Sequence, residues 1–333
     1  MRRPSPLHRG LAALLLVAVA VSAAAQGEPP HKFKNLKVLP TDVPPAVLRA
    51  TMGGFTRALG VRCDYCHALP QGQEPGPEDF AKDDKPTKIK AREMMKMVDA
   101  INADYLSKLD KRADPPLKVE CFTCHHGVAQ PRTLQDVLNI AYDQGGMDST
   151  LARYHALHDR YYGRAAYDFS EVPLTLVAAH AESTGHAGDA SQLLALNVDM
   201  NPSSDFAKRQ QVASTLAMAF RSPTPDSAAA LFHTYQSRYG QKIVSEGLVN
   251  NVAYAMLGRG ESDAAISAFR FNTTEFPSSS NGFESLGEAY AQKGDRQQAQ
   301  KAFEKALQLD PQNAAAKQGL DGLKEAGKAP AKK

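Results

Sequence analysis

The same pentapeptide pattern, C-x-x-C-H, occurs twice in this chain, at residues 63–67 and 121–125, and the two copies use all 4 cysteines. Two thiols one helical turn apart can reach the two vinyl groups of one porphyrin, and the histidine that follows then lies beneath the iron. The pattern therefore predicts two covalently bound haem c groups. The predicted thioether bonds and proximal iron ligands come from Cys63, Cys66, Cys121, Cys124, His67 and His125.

Two other uses of these cysteines compete with haem attachment. The four thiolates could hold one structural zinc, or they could form two disulfides in an exported protein. The long gap between the pairs is unusual for a compact zinc ribbon. Neither alternative gives a role to the histidine that follows each pair, so we favour haem.

The first 25 residues have the features of a secretory signal. Basic residues come first, an apolar run covers residues 11–21, and small residues at 23–25 are typical of a cleavage site. The apolar run is too short to cross a bilayer comfortably. Because haem is attached to c-type apoproteins outside the cytoplasm, we expect a cleaved signal peptide, a periplasmic location and no transmembrane segment in the mature chain.

Length and charge bound the remaining possibilities. The formal net charge is +3, which gives no reason to expect a nucleic-acid partner. The roughly 300 residues after the signal suffice for two domains. We predict an all-α chain, and its parts are a signal peptide (1–25), a small dihaem cytochrome c domain (31–135), a connecting segment (136–171), TPR-like helical repeats (172–323) and a disordered tail (324–333).

A sixth iron ligand is available upstream of the first motif. Apolar residues at helical spacing predict a helix with Thr41 or Asp42 as its cap and Gly60 as its stop. The turn at Gly60 would fold this helix back over the porphyrin. Met52 would then approach the iron from the side opposite His67.

The alternative for Met52 is that it only fills a core, as methionine often does. Gly53 and Gly54 favour ligation, because their missing side chains would let a flat macrocycle approach the backbone closely.

The second motif follows a different helix. The pattern predicts a helix over residues 88–106 that is capped by Thr87. Met94 and Met97 are three residues apart, so both can face the same haem. The spacing predicts that one of them is the sixth ligand and leaves open which one.

A further pattern surrounds both motifs. It consists of residues 35–40, 52–55, 59–61, 79–80, 85–86, Ala91, Arg92, Met94, Met97, Ile101 and Asn102. Together with the motifs, these residues resemble the cytochrome c subunit of photosynthetic reaction centres, and more closely its exported relatives in non-phototrophic bacteria. The resemblance covers about residues 33–132.

The resemblance implies helix–haem units in which a methionine on the preceding helix is the sixth ligand. Carried over, it makes Met52 and His67 the axial pair of the first haem and Met94 and His125 that of the second, with Met97 as the runner-up. The reaction-centre subunit usually carries four haems, whereas this chain has two motifs. The implied function is therefore electron transfer in general.

A period of 34 residues appears near the C-terminus. Small, aromatic and proline residues recur at this spacing: Gly260 and Gly294, Ala265 and Ala299, Phe269 and Phe303, Pro277 and Pro311. The pattern is that of tetratricopeptide (TPR) repeats, in which paired helices stack. Residues 283–313 give the clearest copy and 249–279 the next, while a generic helical bundle is the alternative.

Earlier copies are degenerate. Gly185, Ala190, Leu194 and Pro202 keep the same mutual offsets, and residues 206–240 could supply another helix pair. Stacking of several units is expected, because one helix pair cannot bury its own apolar face.

We predict a dihaem electron carrier that docks to redox protein partners through its TPR repeats. Two axial ligands on each iron would make a redox relay with no site for substrate. The alternative is a dihaem oxidoreductase or peroxidase with one substrate-accessible iron, and a third class is a scaffold in which haem is only a sensor. His155 and His158 lack a third metal ligand, so we expect them to be packing residues.

Overall fold

The computed structural model describes residues 33–70, 75–110, 114–222 and 226–326. The chain divides into two compact units, Met1–Ala129 and Gln130–Lys333. The described residues form helices and connecting loops without strands, which confirms the all-α prediction. The predicted signal peptide lies outside the described residues. Among the described helices none is both apolar and long enough to cross a membrane.

The described part of the first unit contains four α-helices: α1 (Pro45–Leu59), α2 (Pro77–Ala81), α3 (Pro86–Ala100) and α4 (Cys121–His125). A 3₁₀ turn covers Cys63–Tyr65, a π-helical turn extends α3 over Ile101–Tyr105, and a second 3₁₀ turn covers Leu106–Lys108.

The end of α1 was predicted correctly and its beginning was not. Gly60 follows the helix with φ of 65°, and its N–H donates to the carbonyl of Thr56. The predicted caps Thr41 and Asp42 are wrong, because Pro44 occupies the N-cap position without any side-chain hydrogen bond. Pro45 in the first turn has no N–H that needs a partner, so a cap contributes less there.

The predicted cap of α3 is also wrong. The helix begins at Pro86, with Lys85 at the N-cap, so Thr87 already lies inside the first turn. The Thr87 hydroxyl donates to the carbonyl of Tyr65 instead. The Thr87 side chain, which the local pattern predicted to cap the helix, therefore makes a tertiary hydrogen bond instead.

Few side chains are buried in the first unit. Among its described hydrophobic residues, only Val43, Ala58 and Val128 are buried. Many large apolar side chains are exposed, namely Val47, Tyr65, Phe80, Ile89, Met94, Met97, Tyr105, Leu109, Leu117 and Phe122. The described polypeptide of this unit therefore has little core of its own.

The second unit contains ten described α-helices: α5 (Leu134–Tyr161), α6 (Glu171–Ser183), α7 (Ala187–Met200), α8 (Asp205–Arg221), α9 (Asp226–Tyr239), α10 (Glu246–Gly258), α11 (Ser262–Glu275), α12 (Ser280–Lys293), α13 (Arg296–Leu309) and α14 (Ala314–Ala326). The helices from α6 to α13 pack as consecutive pairs, and α14 packs on the last pair.

The helix pairs match the predicted repeats. The small residues Ala265 and Ala299 are fully buried, and so are the aromatic rings of Phe269 and Phe303. Pairs α10–α11 and α12–α13 are the two clearest predicted copies. The degenerate copies also form pairs, α6–α7 and α8–α9, which bury Ala190, Leu194, Ala228 and Phe232.

Close helix contact in the last repeat depends on two glycines. The ring of Phe303 lies between Gly287 of α12 and Gly319 of α14. A Cβ at these glycines would come within 2.6 Å and 2.5 Å of the ring, too close for any side chain. Phe303 can therefore fill the space between three helices only because both positions lack a Cβ.

The predicted connecting segment contributes to a hydrophobic core. Helix α5 buries Leu138, Tyr154 and Leu157 against α6 and α7, and non-helical angles at Gly145 and Gly146 kink it. His158 stacks between Tyr154 and Tyr162, with ring centroids 5.9 and 4.4 Å away. At the other end, α14 continues three residues into the predicted tail, and residues 327–333 lie outside the described residues.

Candidate haem-binding site

The first C-x-x-C-H motif forms one tight turn. The N–H groups of Cys66 and His67 both donate to the carbonyl of Cys63, over 3.3 and 3.0 Å. Both cysteines are free thiols, Cys63 exposed and Cys66 half-buried. This turn keeps two thiols and an imidazole within one helical turn, as attachment of one porphyrin requires.

The start of α3 anchors this first turn. The Lys85 ammonium donates to the carbonyl of Asp64, and the Thr87 hydroxyl donates to that of Tyr65. Both carbonyls belong to the motif's own backbone. The helix that carries Met94 and Met97 therefore also fixes the loop of the first motif.

The imidazole of His67 is partly buried. Its Nδ1 atom is buried and has no hydrogen-bond partner, and its ring packs edge-on against Phe80 at 5.2 Å. Burial lowers the pKa of His67, and the positive charge of Lys88 lowers it further. The neutral imidazole is the form that binds metals, so both observations fit an iron ligand.

A charged network around Asp83 holds α2 against α3. The Asp83 carboxylate lies 2.9 Å from Lys37, 3.2 Å from Lys88 and 2.9 Å from Arg92. Hydrogen bonds from Arg92 and Lys37 hold the pKa of this carboxyl well below its usual range. Lys88 also donates to three carbonyls at the end of α2, including that of Phe80. The network therefore positions the ring that packs on His67.

The second motif is helix α4. Glu120 caps it, since the Glu120 side chain accepts from the backbone of Thr123 and the Thr123 hydroxyl accepts from the N–H of Glu120. His125 Nδ1 lies 2.9 Å from the carbonyl oxygen of Val128. That contact assigns the proton to Nδ1 and leaves Nε2 with a free lone pair, the arrangement found in metal-bound histidines.

Asn102 ties the π-helical turn to the segment before the second motif. Its Nδ2 donates to the carbonyl of Val119 over 2.8 Å, and its Oδ1 accepts from the N–H of Val119 over 2.9 Å. Val119 is two residues before Cys121. The helix with Met94 and Met97 is thus attached to both motifs, by its first turn and by its π-helical extension.

A backbone contact joins α1 to the end of the second motif. Gly127 donates its N–H to the carbonyl of Ala58 over 2.9 Å. A Cβ at Gly60 would lie 1.9 Å from the Gly127 carbonyl oxygen, so only glycine fits there. The loops that follow α1 and α4 are therefore in direct contact.

The candidate sixth ligands differ in exposure. Met52 is half-buried on α1, while Met94 and Met97 are 41% and 42% exposed on α3. Because Met94 and Met97 are equally exposed, the preference for Met94 rests on the resemblance alone.

The residues of the first unit fit a large flat apolar group. The unit has few buried residues and many exposed apolar side chains, and an added Cβ at Gly54 would meet nothing within 4 Å. A covalently held porphyrin would cover such surface and supply the missing core. Within the described ranges, no three His, Cys, Asp or Glu side chains lie close enough to hold one metal ion.

The sequence predicted the cysteines and histidines of the site but not the residues that position them. Asn102, Phe80 and Lys85 were part of the resemblance, but their roles depend on partners far away in the chain. No local signal marked Asp83 or Gly127.

Two thiol–thiol–histidine turns on helical units are the pattern of a c-type cytochrome, and here a helical-repeat domain follows them. Residues 13–139 match the family described as "Photosynthetic reaction centre cytochrome C subunit", and residues 281–313 match "Tetratricopeptide repeat". Both matches confirm the resemblance and the repeats predicted from the sequence.

Two relatives are similar to the cytochrome part. One is cytochrome c-554 of Chloroflexus aurantiacus, 38% identical over 69 residues, which cover 21% of this chain and 14% of the relative. The other is the photosynthetic reaction center cytochrome c subunit of Thermochromatium tepidum, 29% identical over 102 residues, which cover 30% of this chain and 22% of the relative. The chain thus spans less than a quarter of the length of either relative.

Solved structures are similar to the helical repeats. They include YrrB, described as a TPR protein with an unusual peptide-binding site, at 13% identity and a TM-score of 0.29, covering 56% of this chain and 90% of YrrB. MamA has 20% identity and a TM-score of 0.27, covering 54% of this chain and 92% of MamA. Because these TM-scores are low, the repeat assignment rests on the family match and the helix pairs.

Proposed function

We propose that this protein is a periplasmic dihaem c-type cytochrome that carries electrons between redox partners and docks to them through its TPR repeats. The observation that carries the proposal is the presence of two complete C-x-x-C-H turns in one unit, each with its own anchoring contacts. The signal-like N-terminus supports the location, since haem attachment takes place outside the cytoplasm.

The cysteines would hold each group permanently. In each attachment step a thiol S–H adds across a vinyl C=C bond, which forms one C–S and one C–H bond and needs no external oxidant. The step requires reduced thiols, and all four cysteines are free. Haem supplies reversible one-electron chemistry at iron when it is bound.

The axial residues would close both faces of each iron to substrate. His67 with Met52, and His125 with Met94, are the proposed pairs. A thioether sulfur favours ferrous iron and raises the reduction potential relative to a second histidine. The hydrogen bond from His125 to the carbonyl of Val128 would fix the ring's tautomer and orientation.

The contact between Gly127 and Ala58 supports a relay function. It links the loop after the second motif to the helix that carries Met52. This contact would help to keep the two redox groups at a constant separation, which efficient electron carriers need.

Mass spectrometry and spectroscopy test the proposal. Protein matured in a host that attaches haem c should gain twice the mass of haem, and a double Cys121→Ser, Cys124→Ser variant should gain it once. Both haems should be reduced and reoxidised by one-electron mediators, with no rapid change in the ferrous spectrum under carbon monoxide. A colourless product would overturn the proposal, and rapid carbon monoxide binding would favour the oxidoreductase or peroxidase alternative.

A further inference from the structure

The histidines of the two motifs differ in what their Nδ1 atoms contact. His125 Nδ1 lies 2.9 Å from the carbonyl oxygen of Val128 and donates a hydrogen bond to it. His67 Nδ1 is buried and has no partner in hydrogen-bonding geometry among the described residues. A hydrogen bond from Nδ1 makes an imidazole a more basic ligand through its other ring nitrogen. His125 is therefore the more electron-donating of the two proposed iron ligands.

The first motif lies in a positive environment. The Lys85 ammonium donates to the carbonyl of Asp64 inside the motif, and Lys88 donates to the carbonyl of Phe80. Burial lowers the pKa of His67, and the charges of Lys88, Arg92 and Lys85 lower it further. The backbone of Phe80 raises this pKa, but less than burial and Lys88 lower it.

One carboxylate offsets part of this positive charge. Asp83 lies 2.9 Å from Lys37, 3.2 Å from Lys88 and 2.9 Å from Arg92. A single negative charge among three cations leaves the network positive. The balance at His67 therefore remains positive after the ion pairs are counted.

The second motif lies in a negative environment. Glu120 directly precedes Cys121, and its carboxylate accepts from the N–H of Thr123, which fixes the charge at the first turn of α4. Burial raises the pKa of the Cys121 thiol, and the negative charges of Glu120 and Asp99 raise it further. The two motifs thus have opposite charge environments.

Ligand basicity and charge act in the same direction at each motif. Reduction adds an electron to iron, so nearby positive charge favours it and nearby negative charge opposes it. A more basic imidazole also stabilises ferric iron, and hydrogen bonding around the ligands is one of the means by which a protein sets the potential of haem. Both effects favour the ferrous state at the first motif and the ferric state at the second.

We infer that the haem at the first motif has the higher reduction potential, so that electrons pass from the second motif to the first. In this step one electron leaves ferrous iron at the second motif, which becomes ferric, and reduces ferric iron at the first. The Val128 carbonyl, Glu120 and Lys88 set the order as positioning groups. The inference rests on the proposed dihaem electron carrier and adds a direction to it.

The test is a spectroelectrochemical titration of the full haem-loaded chain. The double Cys121→Ser, Cys124→Ser variant keeps only the first haem, so its single midpoint identifies that haem in the wild type. We expect the electron of the half-reduced protein to occupy the first haem about tenfold more often than the second or more, which corresponds to a separation of about 59 mV or more between one-electron midpoints.

Glu120→Gln removes the charge at the second motif and keeps an oxygen that can accept from Thr123. It should raise the midpoint of the second haem and leave that of the first in place. Glu93→Gln is the matched control, because it removes the same charge from an exposed position on α3.

Lys88→Gln should lower the midpoint of the first haem alone. Lys90→Gln is its control, since Lys90 is exposed on the same helix and removes the same charge. Thermal unfolding checks that each variant is folded, and Glu120→Gln still tests the order if Lys88→Gln is unstable.

Proton NMR of the ferrous protein gives a readout independent of potential. The Nδ1 proton of His125 should resonate downfield of that of His67, because only the former is hydrogen-bonded. Equal or reversed midpoints, or a shift in Glu120→Gln no larger than in Glu93→Gln, would overturn the inference.

Mass separates this inference from the function on which it rests. A chain that gains two haems and is reversibly reduced at equal midpoints would remove the potential order and leave the electron-carrier proposal in place. A chain that gains one haem or none would overturn both.

Discussion

The side-chain amide of Asn102 bonds to both backbone polar groups of Val119: its Nδ2 donates to the Val119 carbonyl, and its Oδ1 accepts from the Val119 N–H. This pair joins the π-helical end of α3 to the chain two residues before Cys121. π-Helical turns are rare and are frequently found at functional sites. Here the turn places an amide where it can set the position of the second motif.

Asn102→Ala should therefore disturb the second haem selectively. Loss of the amide leaves two backbone groups of Val119 without a partner and should cost about 1–3 kcal/mol of stability in the first unit. In a redox titration, we expect the midpoint of the second haem to shift and that of the first to stay unchanged.

Ser107→Ala is a suitable control, because the Ser107 hydroxyl bonds only to the carbonyl of Ala103 in its own segment. It should leave both midpoints in place. Equal shifts of the two haems in Asn102→Ala would show that Asn102 only stabilises the unit and does not position the second motif.

Gly60→Ala should destabilise the contact between the two motif loops. The new Cβ would both adopt a left-handed φ of 65° and collide with the carbonyl of Gly127. Left-handed backbone alone costs about 1 kcal/mol for alanine, and the collision forces the loops apart at further cost. We expect a total loss of about 3 kcal/mol in denaturant unfolding, and lower haem incorporation.

Gly127→Ala separates the two effects. Gly127 also has a positive φ, 87°, but a Cβ there would meet nothing within 4 Å. It should show only the backbone cost, about 1 kcal/mol. If both variants lose the same stability, the collision at Gly60 is not a constraint.

The last repeat offers a test of packing that does not involve haem. Gly319→Ala would place a Cβ within 2.5 Å of the Phe303 ring, which must then move. Overpacking of this kind costs about 1–3 kcal/mol. Gly322→Ala on the same helix meets nothing within 4 Å, so it should be neutral or stabilising in thermal unfolding. Equal unfolding temperatures would contradict the observed packing.

Sequence reasoning succeeded where the chemistry is local. Each C-x-x-C-H motif contains its own thiols and imidazole, and the helix stop at Gly60 needs only a positive φ that glycine supplies. The TPR period was visible because the same small and aromatic positions recur at a fixed spacing, as with Phe269 and Phe303.

It failed where a side chain has a distant partner. Thr87 has the composition of a helix cap, yet its hydroxyl bonds to Tyr65. Asp83 is unremarkable among neighbouring charged residues, and its three cationic partners are found only once α2 and α3 have packed. The unusual position of Glu284 was missed for the same reason, since its side chain is buried only once the helices have packed, while Glu288 one turn later stays exposed.

Glu284 predicts a pH dependence of stability. Burial, the negative charge of Glu288 and a hydrogen bond to Glu288 raise its pKa in the folded protein to about 7, above the ordinary value for glutamate of about 4.3. Between these two pH values the folded state keeps a proton that the unfolded state has lost, so the free energy of unfolding must fall as pH rises from about 4 to 7. Glu284→Gln removes this penalty and should be more stable than the wild type at pH 8 by about 1–3 kcal/mol.

Urea unfolding at pH 4.5 and pH 8 measures the effect. The wild type and Glu284→Gln should be similar at the lower pH and differ at the higher one, while Glu304→Gln, at an exposed position on α13, should follow the wild type throughout. A Glu284→Gln variant that keeps the wild-type pH dependence would show that Glu284 is not the titrating group.

The choice between Met94 and Met97 gives the sharpest test of the haem ligands. They lie on the same helix three residues apart and are exposed to 41% and 42%, so alanine at either site removes the same side chain from nearly the same surface. Loss of an axial thioether should remove the near-infrared sulfur-to-iron band of one haem and lower its potential by on the order of 100 mV, within the range that axial ligands cover. Met94→Ala should do this at the second haem and Met52→Ala at the first, while Met97→Ala should leave both haems unchanged. If Met97→Ala removes the band and Met94→Ala does not, the axial partner of His125 is Met97.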